Sequence, residues 1–322
     1  MTSSIQSKEP VQVRNEHLSG YQARDHEVVD YRMYELDGGG LQFRGPFPDD
    51  LESGNYFTCL GAAQTFGCFC ENPFPDLLAK QLEMPALNLG YGGAGPEFFA
   101  LHESLDRYVN GGKFVIIQAM SGRSQSNSVF DARGLEYLTR HSDGVSLGSD
   151  AAYRDLIYGP RVFRRRPFRW ATTRLAPIVN GPKVRRIVEE TRRGWIDSHR
   201  TLLARIKVPT IFFWYSTRPP EYEEGSKDLE SLFGDFPQLV NAEMVNEVRE
   251  LCDHYVECRS DRGSPQPLHS RFTGERISVD PARDRPDFAD MGLWSNNFYY
   301  PSPEMHEDAA EALGETCKRV FG

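Results

Sequence analysis

Tyr56-Phe57-Thr58-Cys59-Leu60-Gly61-Ala62-Ala63-Gln64-Thr65-Phe66-Gly67 runs from a short apolar strand pattern into a loop bounded by two glycines. The β-branched and aromatic content of Tyr56–Leu60 predicts a buried strand. Asn72-Pro73 then predicts a helix start, as N-cap and first helical residue. In that helix Phe74, Leu77, Leu78 and Leu82 make one apolar stripe, and Pro85 ends it. Ala86–Leu89 predicts a second strand, followed by the glycine-rich loop Gly90–Pro96.

The same alternation continues outward. Phe98–Val109 predicts a helix that closes at Gly111-Gly112. Phe114–Gln118 and Thr210–Tyr215 are apolar apart from Gln118 and Thr210 at their ends, the pattern of parallel strands covered on both faces. A helix over Glu243–Leu251, a weaker strand at His254–Cys258 and a closing helix over Glu304–Phe321 complete the set. Strands alternating with helices predict a three-layer α/β fold around a doubly wound parallel sheet, flavodoxin-like in arrangement. Residues 1–50 read as an arm and lead-in, with 1–30 a loose arm or an ordered strap. Residues 51–322 read as the α/β domain, with a long helical insertion at 128–205 and a second insertion, rich in Pro, Arg and Asp, at 260–295. A hairpin is expected around Phe272-Thr273-Gly274-Glu275.

Composition narrows the function classes. A net charge of −9 argues against general nucleic-acid binding, which leaves a basic footprint. No apolar run is long enough to span a bilayer, and the N-terminus lacks a signal-peptide core, so a cytoplasmic protein is expected. The six cysteines are too few for a disulfide framework, and Cys68-Phe69-Cys70 has no zinc spacing; no metal is expected. Cys68 and Cys70 read as packed thiols, or less readily as a nucleophile favoured at a helix start.

The order strand, Gly61-Ala62-Ala63-Gln64-Thr65-Phe66-Gly67, helix, strand, Asn88-Leu89-Gly90-Tyr91-Gly92-Gly93 resembles the first two blocks of the SGNH (GDSL-type) hydrolase superfamily. Pro73–Leu78 is also typical of it, and Tyr300–Ala310 resembles its C-terminal block. More closely, the chain resembles an uncharacterised bacterial family related to that superfamily. By this resemblance Gly93 stands where a glycine amide helps to form the oxyanion hole. The nucleophilic serine falls at Ala63, its neighbouring Asp at Ala62, the triad acid at Asn297 and the base at Tyr300. A methyl group cannot attack an acyl carbon, and a phenol with a pKa near 10 is a poor base at neutral pH. His306 matches the second, non-catalytic histidine of that block. The third block is blurred: Ser121-Gly122-Arg123-Ser124 stands in its place, with Asn127 just beyond.

Sites in such sheets lie at the carboxyl ends of the strands. Candidate ligand-binding residues are therefore Ala63, Gln64, Gly92, Gly93, Ser121, Asn127, Arg218 and Asn297. The candidates for chemistry are His306, Arg123, Thr65 and Tyr300. Thr65 and Ser121 equally read as caps, and Asn88 as a tie between loops. From Arg161 to Arg200 the chain carries twelve Arg or Lys and three acidic residues. Arg164, Arg165, Arg166 and Arg169 there form a candidate anion patch for a nucleotide-type donor, or else a solvated or subunit-pairing face of a homo-oligomer. Trp294, Phe298, Tyr299 and Tyr300 read as sugar-stacking rings or as a closed apolar lid. Three functions follow as expectations: a carbohydrate-directed acyl or sulfo transferase with an anionic donor, a non-catalytic binding or assembly protein, and, more weakly, an atypical esterase. The ligand expected is a small molecule or glycan, and no cofactor is assigned.

Overall fold

The computed structural model describes residues 20–36, 39–159, 175–222, 225, 228–283 and 291–321. The chain opens with α1 (Gly20–Asp25) and a small antiparallel pair, β1 (Tyr34–Glu35) and β2 (Gln42–Phe43). The α/β core follows: β3 (Phe57–Gly61), α2 (Ala63–Phe66), α3 (Phe74–Leu82), β4 (Ala86–Gly90), α4 (Pro96–Leu101), α5 (Asp106–Gly111) and β5 (Val115–Gln118). The first insertion holds β6 (Phe130–Asp131), β7 (Tyr137–Arg140), β8 (Ser146–Gly148), α6 (Ser149–Tyr158) and the long α7 (Ala176–Leu203). The core resumes with β9 (Thr210–Ser216), α8 (Leu229–Phe233), α9 (Ala242–Arg249) and β10 (His254–Arg259). β11 (Gln266–Pro267), β12 (Asn296–Asn297) and α10 (Pro303–Phe321) close it.

The central sheet runs β10-β9-β5-β3-β4, and every neighbouring pair is parallel. That is the flavodoxin-like order, which places a switch point between β3 and β5. The two faces follow from the period-two alternation of each strand. Phe57, Cys59, Ile116, Ile211, Phe213 and Tyr215 face α3 and α10, meeting Phe74, Leu78, Met305, Ala309 and Leu313. Leu60, Leu87, Leu89, Val115, Ile117, Phe212 and Trp214 face the other layer, with Phe98, Phe99, Trp195, Leu202 and Val245.

The expected strands are all present, but some details differ. The insertion at 128–205 is not wholly helical: β6, β7 and β8 form an antiparallel sheet packed with α6 and α7. The single helix expected over Phe98–Val109 is broken at His102, whose backbone leaves the helical region (φ −101°, ψ 68°). Its ring Nδ1 lies 2.7 Å from the Phe98 carbonyl, which also accepts the His102 N–H (3.1 Å), while the Phe99 and Ala100 carbonyls are taken by the Arg205 guanidinium (2.9 and 2.7 Å). α3 starts one residue later than expected, with Pro73 at the N-cap. Asn72 instead accepts a hydrogen bond from Lys80 Nζ (2.9 Å). The turn at Phe272–Glu275 does sit between antiparallel-bridged His269 and Arg276. No described helix is long and apolar enough to cross a membrane.

The start of α3 is capped from a distance. Phe74 N–H donates to His306 Nδ1 at 3.2 Å, and the imidazole packs against both the Phe74 and Tyr215 rings. Burial, reinforced by the nearby Arg44 guanidinium, pushes the His306 pKa down to about 3. The folded value lies below the ordinary 6.5, so the neutral ring stabilises the fold fully above about pH 6.5. That contribution is lost as pH falls toward 3, because the unfolded chain takes up the proton first. In urea titrations wild type is expected to lose about 2 kcal/mol more than His306→Gln between pH 7 and pH 5. Equal losses would contradict the assignment. At the sheet edge, a Cβ on Gly90 would collide with the Phe66 backbone, 2.8 Å from its Cα. Gly90→Ala is therefore expected to cost at least about 2 kcal/mol in the same titration at pH 7.

Candidate functional site

The switch point is built around two side-chain amides. Gln118, the last residue of β5, accepts through Oε1 from the Thr65 hydroxyl (2.7 Å) and from Ala62 N–H (3.2 Å). Asn88 donates to the Thr65 carbonyl (2.9 Å) and accepts from Gly90 N–H (2.9 Å). Thr65 and Asn88 are thus committed to holding α2 against the strand ends. This close approach needs Gly61, because a Cβ there would lie 2.5 Å from Gln118 Oε1 and 2.7 Å from Thr65 Cβ.

Beside α2 a crevice of about 390 Å³, mouth included, is lined by Ala62, Ala63, Gln64, Gly93, Ser121, Arg123, Ser124, Glu136, Phe236, Tyr299, Tyr300 and Tyr21. Six of the sequence candidates meet here: Ala63, Gln64, Gly93, Ser121, Arg123 and Tyr300. Gln64 is 4% exposed, and its Oε1 has no partner among the described residues. Ser121 accepts from Arg123 N–H (3.2 Å), capping a 3₁₀ turn over Gly122–Ser124. Ser124 donates to the Gly93 carbonyl (2.9 Å). Gly93, at φ +77°, lets Glu136 approach; a Cβ would stand 2.8 Å from its Cγ.

Arg123 is paired on several sides. It reaches Glu136 (3.0 Å) and Asp150 (3.0 Å), and donates to the Tyr299 hydroxyl (2.7 Å). Two carboxylates thus answer one guanidinium at the crevice wall.

Other candidates are placed elsewhere. His306 is fully buried under α3 and is not part of the lining. Arg218 spends its guanidinium on the carbonyls of Pro219, Asp235, Pro237 and Val240. Asn127 donates to the Thr191 hydroxyl and accepts from Val129 and Phe130 N–H, closing a turn. Asn297 does the same with Tyr299 and Tyr300 N–H, and donates to the Tyr300 carbonyl and to Gln266 Oε1. Cys68 and Cys70 lie between α2 and α3, fully covered, and burial pushes both thiols up, so no thiolate is favoured there. Arg164, Arg165, Arg166 and Arg169 lie outside the described residues. The aromatic cluster divides: Trp294 and Tyr300 are buried, whereas Phe298 and Tyr299 are exposed.

The residues that sequence reasoning missed come from the N-terminal segment. Residues 20–31 lie over the crevice as an ordered strap. The Tyr21 ring sits on Gly92, where a Cβ would come within 2.9 Å of its hydroxyl, and packs at 5.6 Å from Phe66 and 6.0 Å from Tyr300. Arg24 and Asp25 form a buried ion pair (Nη2–Oδ2 2.8 Å), and Tyr31 donates to the same carboxylate (2.7 Å). The Arg24 guanidinium stands 4.7 Å from the rings of Tyr21 and Phe69 and 5.4 Å from Tyr300. Ala63 and Tyr300 thereby share one apolar cluster with Val29, Tyr31, Phe66 and Cys68. Burial pushes the Tyr300 phenol up, further from use as a base.

Chemically, the lining offers an amide, two serine hydroxyls, a carboxylate, a paired guanidinium and ring faces. It contains no imidazole and no thiol among the described residues. No described group of His, Cys, Asp or Glu is arranged to hold a metal ion.

Among solved structures, the chain is similar to a mutant acetyl-xylooligosaccharide esterase from Geobacillus, at 12% identity and TM-score 0.37, over 84% of this chain and 95% of that one. It is similar at the same identity to LAE5, an alpha/beta hydrolase enzyme from the metagenome of Lake Arreo, Spain (TM-score 0.36, 84% and 97% covered). No curated protein matches the sequence. A family model does match, over residues 20–133 and 178–321, taking in the strap, the sheet and the crevice lining apart from Glu136. The chain belongs to the family described as domain of unknown function DUF6473.

Proposed function

We propose that this chain binds a small, neutral, polyhydroxylated ligand of the carbohydrate class in the crevice, and does not cleave or transfer an acyl group there. The observation that carries the reading is the methyl group of Ala63 beside a lining that holds no imidazole among the described residues. Acyl transfer through a serine needs a hydroxyl and a base in contact. Ser121, the crevice hydroxyl best placed by sequence, instead caps its own turn.

Charge decides between ligand classes. Arg123 already faces Glu136 and Asp150, and Arg218 is buried against backbone carbonyls outside the lining, so an anionic donor meets no uncompensated cation in the described crevice. This counts against the transferase reading with a nucleotide-type donor. A neutral sugar would find an acceptor in Gln64 Oε1, hydroxyls in Ser121 and Tyr299, and apolar ring faces at the mouth.

Two measurements check this. Hydrolysis of p-nitrophenyl acetate is expected at the buffer rate. Calorimetric titration is expected to show binding of neutral mono- or oligosaccharides and none of inorganic phosphate, with Gln64→Ala weakening the sugar at least about tenfold, or 1.4 kcal/mol. Ester turnover, or phosphate binding without sugar binding, would overturn the reading.

A further inference from the structure

We propose that residues 20–31 are a gate on the crevice: a self-contained strap, latched by the Arg24–Asp25 pair, that holds Tyr21 where a ligand would sit and must undock as a unit before the crevice fills. This rests on the crevice being the binding site, and concerns how that site is controlled.

The hydrogen bonds of the strap are mostly its own. Gln22 bridges the Val29 carbonyl (3.2 Å) and Tyr31 N–H (2.7 Å). The Asp25 carbonyl accepts from Val28 (2.7 Å) and Val29 (2.9 Å) N–H, and its carboxylate takes Arg24 and Tyr31. Because these groups satisfy one another, the segment can leave the body without stranding them. Its hold on the body is different in kind. Tyr21 and Arg24 present ring and guanidinium faces to Gly92, Phe66, Phe69 and Tyr300. The polar links to the body are Phe69 N–H to the Tyr31 hydroxyl (2.8 Å), Gly45 N–H to the Tyr31 carbonyl (3.0 Å), the Tyr300 hydroxyl to the Tyr21 hydroxyl (3.5 Å), and, at the rim, Arg271 to the His26 and Glu27 carbonyls (both 2.7 Å), to the His26 ring (3.2 Å) and to Asp30 (3.9 Å), and Arg283 to the Ala23 carbonyl (3.1 Å).

The latch is the ion pair. Arg24 can lie among Tyr21, Phe69 and Tyr300 only while Asp25 neutralises it, since a buried pair that loses one partner leaves an uncompensated charge. Beneath it lies Cys68, which is wholly covered and packs with Val29 and Tyr31 of the strap. Cys59 in β3 and Cys317 in α10 are equally covered but belong to the opposite core, away from the strap. The three thiols therefore separate strap opening from global unfolding.

The experiment is N-ethylmaleimide labelling of the full chain, read at each cysteine by peptide mapping. In wild type all three thiols are expected to react slowly. Asp25→Asn, and separately Tyr21→Ala, which removes the ring but leaves the charge pair, are each expected to raise labelling of Cys68 at least tenfold while Cys59 and Cys317 stay slow. A Cys68 rate that stays with Cys59 in both variants would overturn the proposal, as would all three thiols rising together. The readout needs no ligand, so it stands or falls separately from the sugar titration.

Discussion

Two missing Cβ atoms set the shape of the crevice. Gly61 and Gly90 end neighbouring parallel strands; the Thr65 and Gln118 side chains above Gly61, and the backbone of Thr65 and Phe66 above Gly90, lie closer than a Cβ would permit. The polar groups brought together by that approach are met by Gln118 and Asn88. With α2 fixed in this way, Ala63 is held at the carboxyl end of the sheet, facing the lining contributed by β4, β5 and the insertion. The position is the one a doubly wound sheet reserves for ligands. What stands there is a methyl group.

The space above Ala63 is then closed by charge and aromatic packing together. Arg24 brings a guanidinium into a cluster of tyrosine and phenylalanine rings, with Asp25 beside it to cancel the charge. On the far wall Arg123 is answered by two carboxylates. Both cations are therefore compensated within the described structure, which is what favours the proposed neutral ligand over an anionic one. The same economy accounts for the buried histidine: His306 contributes as a neutral acceptor at the start of α3, a role that depends on its staying unprotonated.

Much of this architecture was legible in the sequence. The strands β3, β4, β5 and β9 announced themselves as largely apolar runs, because a parallel strand buried on both faces has little polar side to show, whereas the edge strand β10, exposed at Glu257 and Arg259, gave a weaker signal. The glycines at 61, 90, 92 and 93 marked the crevice, since close backbone approach leaves no substitute. The individual polar residues were harder to assign. Thr65, Asn127 and Asn297 are of types that serve equally in turns and in sites, and their partners lie in other elements. Tyr21, Arg24 and Asp25 carried no local signal: in sequence they belong to a polar arm, and only contact with Phe69 and Tyr300 buries them. Glu136 is similarly silent, brought to the wall by a hairpin within the insertion. His102 shows the limit of periodicity, as a run that reads as one helix is divided where its backbone leaves the helical region and the Arg205 guanidinium takes the Phe99 and Ala100 carbonyls.

The central claim is that no activated hydroxyl faces the crevice. Intact-protein mass spectrometry after exposure to an excess of a fluorophosphonate tests it directly. The account predicts a single species at the unmodified mass, in wild type and in the strap variants alike. A stoichiometric adduct, above all one mapped to Ser121, would contradict it.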